Sequence, residues 1–171
     1  MKVLSFVLYG SVLAALSGVA IADAVVNVPT LSLDGAQEVA NAALALCRKE
    51  GQHVSVTVLD RTGRRVVALR DDGASPHSFE HSRRKAYTAL TYNMPSAEYG
   101  KRAAATPGAI GPQLLPHITT AAGGLPIRAN GVLVGAVGVS GTPGSAGGGE
   151  GDAKCGQAGI ERIASGLNAR K

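Results

Sequence analysis

Tryptophan is absent from the 171-residue chain, and aromatic residues make up only 4% of it. Hydrophobic residues still account for 45% of the sequence, so the core has to be built from valine, leucine, isoleucine and alanine. The formal charge of +5 is mild and spread along the chain. Nucleic-acid binding would require a clustered basic stripe with aromatic side chains for stacking. The sequence therefore predicts one domain with an aliphatic core that does not bind nucleic acid.

Motifs of several common enzyme classes are also missing. The chain has no Gly-x-Ser-x-Gly nucleophile elbow and no His-Glu-x-x-His zinc helix. The segment from Ser140 to Gly151 is rich in glycine, but it lacks both the phosphate-loop and the dinucleotide-binding patterns, so we interpret it as a flexible linker. Ser78, His81 and Asp72 can be imagined as a triad, but any chain of this size contains some such set. Hydrolytic catalysis is therefore disfavoured.

Long apolar runs are confined to the N-terminus. Lys2 precedes an apolar run from Val3 to Val19, and Ala20-Ile21-Ala22 matches the small-x-small pattern of a cleavage site. A transmembrane anchor is the alternative, but the run is short and lacks a basic stop-transfer flank. We therefore predict a signal peptide at residues 1–22 and a single domain at residues 23–171. The mature protein is expected to be periplasmic or secreted, with no membrane span.

Only two cysteines are present, Cys47 in the first predicted helix and Cys155 in the last. In an oxidising compartment they can form a disulfide, provided that the two helices pack side by side. The alternative is two buried thiols that behave as small hydrophobic side chains. A nucleophilic cysteine is disfavoured.

Two segments have the pattern of an antiparallel hairpin. In His53–Ala74, alternating valines lead to the turn Asp60-Arg61-Thr62-Gly63 and then to a second aliphatic strand. In Leu125–Val139 the turn is Asn130-Gly131, which is among the strongest short hairpin signals. His117–Thr120 is predicted to be a further short strand.

Helices are predicted around these hairpins. The first is capped by Ser32 or Asp34 and ends near Gly51, because Ser and Asp satisfy unpaired amides and Gly stops a helix. A second is predicted over residues 76–93 with Ser75 as its cap, a short one over 97–105, and a last one from Asp152 onward. This order of elements indicates an α/β domain with a largely antiparallel sheet covered by helices.

Six short segments occur in a fixed order along the chain. They are the pattern V-x-V-x-D-x-x-G-x-x-V at 56–66, Asp72-Gly73-Ala74, Lys85-Ala86-Tyr87-Thr88-Ala89, Gly123-Gly124-Leu125-Pro126-Ile127, residues 135–141 and residues 152–159. Taken together, these segments resemble the GlcG/HbpS-like family, whose domain also occurs at the C-terminus of PduO-type proteins. The likeness covers nearly all of the predicted domain.

The resemblance implies an α/β (α+β), profilin-like fold, with a roughly five-stranded antiparallel sheet flanked by helices. It also implies assembly into dimers or larger homo-oligomers and, for several members, haem binding. The family is sometimes called haem-degrading. This chain departs from the usual pattern in its longer Ser140–Gly151 linker, which bears on ligand choice if the linker borders the pocket.

Two histidines are the leading candidates for a cofactor site. His77 and His81 are four residues apart on a predicted helix and so project from one face. One of them can supply an axial imidazole to haem iron, or the two together can hold a divalent metal. His117 follows a proline-rich loop and can enter the same pocket. Otherwise these histidines are exposed polar residues. Three further side chains are alternative iron ligands: Tyr87, Thr119 and Thr120.

Three cationic residues follow the histidine pair. Arg83, Arg84 and Lys85 can bind the haem propionates, since arginine can form two parallel hydrogen bonds with a carboxylate. Alternatively, the three form a solvated face on which Lys85 tethers Asp71 or Asp72.

The sequence as a whole predicts an exported haem-binding protein that scavenges, buffers or degrades haem, with a sensor or transport protein as a further partner. One alternative is a small-molecule enzyme or accessory factor of an organic-acid or diol pathway. Another is an oligomeric sensor or scaffold without a cofactor.

Overall fold

The computed structural model describes residues 24–106, 108, 111–143 and 149–168. The predicted signal peptide and the centre of the predicted linker, residues 144–148, lie outside the described residues. Four strands form one antiparallel sheet in the order β2-β1-β4-β3: β1 is Ser55–Asp60, β2 is Arg65–Arg70, β3 is Gly124–Ala129 and β4 is Val132–Ser140. The helices are α1 at Leu33–Lys49, α2 at Ser78–Tyr92, α3 at Ser96–Ala104, α4 at Glu150–Arg162 and α5 at Ala164–Leu167, with a 3-10 turn at Gly111–Leu114.

Both predicted hairpins are confirmed, and the turn chemistry of the first is visible in its contacts. Asp60 Oδ1 accepts hydrogen bonds from the backbone amides of Thr62 and Arg64, at 2.8 and 3.0 Å. Gly63 adopts the positive φ of 82° that closes the turn. The predicted α+β class, with an antiparallel sheet flanked by helices, is therefore correct.

The prediction of about five strands is slightly wrong, because the segment His117–Thr120 is not a strand. His117 has a φ of 71°, which is incompatible with an extended ladder. The backbone groups that follow are bound by side chains of α2: Arg84 donates to the Ile118 carbonyl at 2.6 Å, and Thr88 Oγ1 accepts from the Thr119 amide at 2.9 Å. The segment is thus held across α2.

The second helix begins at Ser78, two residues later than predicted. Ser75 does not cap it, and the Ser75 carbonyl instead accepts hydrogen bonds from the amide and the hydroxyl of Ser78, at 3.0 and 2.6 Å. Pro76 and His77 therefore lie in a turn, with His77 at the helix boundary. In the first helix, by contrast, Ser32 caps as predicted, its hydroxyl accepting from the Gly35 amide at 3.1 Å.

Helices cover both faces of the sheet. Helices α1 and α4 pack on one face, where they enclose an aliphatic core with the valines of β1 and β4. Helix α2 packs on the other face, so that β1 is buried on both sides. Within the described ranges, none of the helices combines the length and apolar character that crossing a membrane requires.

Glycine lets α2 approach the sheet closely. A Cβ atom on Gly138 would lie 2.1 Å from the Ser82 carbonyl oxygen, and one on Gly124 would lie 2.0 Å from the Lys85 carbonyl oxygen. Both distances are far inside van der Waals contact, so only glycine fits at these two positions. The polar face of β1 meets the same helix through paired hydroxyls: Ser55 with Ser78 and Thr57 with Ser82, each at 2.8 Å.

Cys47 and Cys155 form a disulfide that joins α1 to α4, with a Cα–Cα distance of 5.7 Å. Both residues are fully buried in the aliphatic core. The disulfide alternative of the sequence interpretation is therefore the correct one.

Removal of this disulfide should destabilise the protein strongly, because it links residues 108 positions apart and so restricts the unfolded chain. We expect the double variant Cys47→Ala/Cys155→Ala to lose about 2–5 kcal/mol of unfolding free energy. Urea unfolding of the wild type with and without reductant provides a second measurement. Identical midpoints for the oxidised, reduced and double-alanine proteins would contradict the prediction.

Gly138→Ala should also destabilise the fold, by about 1–3 kcal/mol or more, because the added methyl group would push α2 away from β4. Gly166→Ala is the matched control, since a Cβ atom there meets nothing within 4 Å. Thermal or urea unfolding of both variants measures the difference. Equal stability of the two variants would show that the contact between α2 and β4 tolerates a side chain.

Candidate functional site

Helix α2 carries most of the residues that the sequence singled out. His77 is exposed at the helix boundary, and His81 lies half-buried one turn later. Their ring centroids are 6.3 Å apart, with 44° between the ring planes. The structure thus brings these two histidines together.

His81 lies between two hydroxyl groups. Its Nε2 is 3.3 Å from Thr119 Oγ1, and its Nδ1 is 3.3 Å from Ser140 Oγ. Ser140 ends β4 and is buried, whereas Thr119 belongs to the segment that crosses α2. A hydroxyl can donate or accept, so these two partners satisfy a neutral imidazole in either tautomer.

The surroundings of His81 also keep it uncharged. Its pKa is lowered from the ordinary value of 6.5 to about 4, mainly by burial and also by the positive charges of Lys85 and Arg84 and by the neighbouring His77. Asp152 acts in the opposite direction but is the smallest of these influences. At neutral pH the imidazole therefore carries a free lone pair, which is the form that binds iron.

His117 belongs to a different cluster on the outer side of α2. Its Nδ1 contacts the Arg83 guanidinium and lies 3.9 Å from Glu80 Oε1. The ring packs edge-on against Tyr87, with centroids 5.9 Å apart. Arg83 also binds Glu80 through two nitrogens, at 2.6 and 3.0 Å, and this contact lowers the pKa of Glu80. His117 and Arg83 are therefore already paired with each other and with Glu80.

Arg84, the next residue along α2, is partly buried. Its Nη2 donates to the Ile118 carbonyl. Its Nε is buried and has no hydrogen-bond partner among the described residues. A buried donor without a partner is costly, so this atom is suited to an acceptor other than the described residues.

Lys85 is buried in an ion pair with Asp152, the first-turn carboxylate of α4. The Nζ–Oδ2 distance is 2.6 Å, and both side chains are only 3% exposed. The alternative that Lys85 tethers Asp71 or Asp72 is wrong, because its ammonium is paired with Asp152. The carboxylate of Asp71 is held instead by Arg48 at 2.6 Å and by His53 at 3.3 Å.

Sequence reasoning missed three partners in the site: Ser140, Asp152 and Glu80. Glu80 could have been found, since it precedes Arg83 by three residues on a helix, the spacing of a common ion pair. Ser140 and Asp152 come from distant parts of the chain, and the sequence contains no local signal for their contacts. Only the tertiary fold brings them to α2.

A simple metal site receives no support in this region. Within the described residues no group of three or more histidine, cysteine, aspartate or glutamate side chains is placed to hold a metal ion. If His77 and His81 held a divalent metal, no third histidine, cysteine, aspartate or glutamate among the described residues would be placed to complete the site.

Two cavities lie elsewhere in the described part of the chain. One, of about 460 Å³, is bordered by the start of α3, β3 and α4. The other, of about 200 Å³, lies beside Tyr92 and Tyr99, whose rings stack with centroids 4.0 Å apart. None of the predicted site residues lines either cavity.

The chain is similar in sequence and in structure to several known proteins. An uncharacterized 15.0 kDa protein from the dhaT–dhaS intergenic region of Citrobacter freundii is 36% identical over 119 residues, which are 67% of this chain and 82% of that protein. A double mutant of HbpS from Streptomyces reticuli has a similar crystal structure, with 37% identity, coverage of 86% of this chain and 97% of that chain, and a TM-score of 0.75.

A PduOC–haem complex is also similar, with 25% identity, coverage of 78% of this chain and 95% of that chain, and a TM-score of 0.69. Residues 31–161 match the model of the family described as haem-degrading and HbpS-like. That range takes in the sheet, the disulfide and all of the residues around His81. The chain therefore belongs to the haem-degrading, HbpS-like protein family.

Proposed function

We propose that this protein binds haem beside α2, where the imidazole of His81 would hold the iron. The observation that carries the proposal is the state of His81: a neutral imidazole, half-buried, whose two nitrogens have only long hydroxyl contacts of 3.3 Å. Such contacts are weak enough to be exchanged for a bond to iron. Family membership and the haem complex of PduOC support the same ligand.

The residues around His81 fit the other requirements of a haem group. Haem carries two propionates, and the buried Nε of Arg84, which has no partner among the described residues, would donate to one of them if the guanidinium turned outward. Arg83 is a second cation on the same helix, available if it exchanges Glu80 for a propionate. Leu114 and Leu115 are 73% and 53% exposed just before His117, and their apolar surface suits a porphyrin face.

The remaining predicted residues have secondary roles in this proposal. His77 is a second imidazole one turn from His81, and Thr119 is a hydroxyl that can approach the iron if His81 turns away. Lys85 was predicted to bind a propionate, but its ammonium is already paired, so a propionate would have to displace Asp152 to reach it. When bound, haem would supply the iron-centred redox chemistry, and the protein residues would orient it and keep the axial ligand neutral.

We further propose that the protein is exported and acts on haem outside the cytoplasm, by scavenging, buffering or degradation. The N-terminal leader pattern supports export. The Cys47–Cys155 bridge agrees with it, because disulfides persist mainly in oxidising compartments. Self-association into homo-oligomers stays a prediction from the family resemblance.

Addition of haemin to the purified protein should give a saturable Soret shift at one haemin per chain. We expect His81→Ala to weaken binding by at least about 10-fold and to change the Soret spectrum, because an axial ligand is lost. His77→Ala should have a smaller effect. His53→Ala is the matched control, since this histidine is exposed and its ring contacts Asp71.

Absence of a saturable spectral change in the wild type would contradict haem binding. That result would favour the pathway enzyme or accessory factor, or the scaffold without a cofactor. Equal spectra and affinities for His81→Ala and His53→Ala would instead remove His81 from the site and leave haem binding itself intact.

His81 should also make the apoprotein sensitive to mild acid. Its folded pKa of about 4 lies below the ordinary 6.5, so between these values the unfolded chain binds a proton that the folded chain does not. The free energy of unfolding should therefore fall as the pH is lowered from 6.5 to 4. In His81→Gln this component should be missing, while the carboxylates titrate as before. Urea unfolding of both proteins at pH 7, 5.5 and 4 measures the difference, and parallel pH profiles would contradict the assignment.

A further inference from the structure

The buried Lys85–Asp152 pair is not explained by stability alone. Removing two charges from water is costly, and replacing such a pair with apolar side chains of similar size is often neutral or stabilising. Here both side chains are 3% exposed and meet at 2.6 Å. Stability alone therefore does not explain this ion pair. The residues around it indicate a second role.

The pair joins three parts of the fold at one point. Lys85 belongs to α2 and Asp152 to the first turn of α4, where Oδ2 accepts from the lysine. The other oxygen, Oδ1, accepts from the backbone amide of Thr142, just beyond β4, at 2.9 Å. Packing leaves the pair little freedom, because a Cβ atom on Gly123 would lie 2.8 Å from Asp152 Cβ and 3.1 Å from Lys85 Cδ.

Lys85 and Thr142, which both bond Asp152, are each connected to the surroundings of His81. Lys85 follows His81 by four residues and so lies on the same face of α2. Thr142 follows Ser140 by two residues, and the Ser140 hydroxyl faces His81 Nδ1. The pair therefore fixes both the helix that carries the imidazole and the strand end that carries one of its hydroxyl partners.

We propose that Lys85 and Asp152 are positioning residues of the haem site, which hold His81 between Thr119 and Ser140 without touching the ligand. The inference rests on the proposed haem binding. It assigns the pair a role that neither a propionate contact nor a purely structural ion pair would have.

The test compares the wild type with Lys85→Met/Asp152→Leu, in which apolar side chains replace both charges. Two readouts are used: the NMR contacts of the His81 ring with Thr119 and Ser140 in the apoprotein, and haemin affinity from the Soret change. We expect these ring contacts to be lost, because the link between α2 and the end of β4 through Asp152 is then missing, and haemin to bind about 10-fold more weakly. The matched control is Arg162→Met/Glu38→Leu, which removes an exposed pair at 2.8 Å between α4 and α1 and should change neither readout.

A folded double variant that keeps either the wild-type contacts of the His81 ring or the wild-type haemin affinity would overturn the proposal. If that variant fails to fold, Lys85→Met/Asp152→Asn replaces it, since the amide oxygen can still accept from Thr142, and loss of the His81 ring contacts is again required. Failure of the wild type to bind haemin would overturn the proposed function itself. The two failures are distinguishable, because the NMR measurement needs no ligand.

Discussion

The close contact between α2 and the sheet is the constraint on which the rest of the site depends. Gly124 and Gly138 bring β3 and β4 against the backbone of the helix, where a single methyl group would collide with a carbonyl oxygen. Small hydroxyl residues bond in pairs across the start of this interface. Further along the helix, alanines pack with Leu59 and Leu90. The helix can occupy only one register on the sheet.

That register determines what the helix can do chemically. With Ser78 and Ser82 bonded to β1 and Lys85 bonded to α4, the position of His81 is fixed within the same turns. Its ring meets the end of β4 on one side and the segment across α2 on the other. Burial and neighbouring positive charge then keep the imidazole neutral. A rigid, uncharged imidazole beside arginines is well suited to an anionic, iron-containing planar ligand, which is the basis of the proposed haem binding.

The sequence predicted local structure well and long-range contacts poorly. The hairpins, the Ser32 cap and the shared face of His77 and His81 follow from spacing and turn chemistry, which act over a few residues. The supposed strand at His117–Thr120 failed because its backbone is bound by α2 side chains, a tertiary effect. The partner of Lys85 was unpredictable for the same reason, since 67 positions separate it from Asp152. The Cys47–Cys155 disulfide could be predicted only as one of two alternatives, because it depends on the packing of α1 against α4, which the sequence does not show.

The most direct test of the account is a crystal structure of the protein in complex with haemin. The account predicts a porphyrin over α2, with the iron bound to His81 Nε2 at about 2.0–2.1 Å, the usual length of a metal–imidazole bond. A propionate should lie against Arg84, and the Lys85–Asp152 pair should be unchanged. A porphyrin bound elsewhere, such as in the cavity beside Tyr92 and Tyr99, with His81 still between its two hydroxyls, would contradict it.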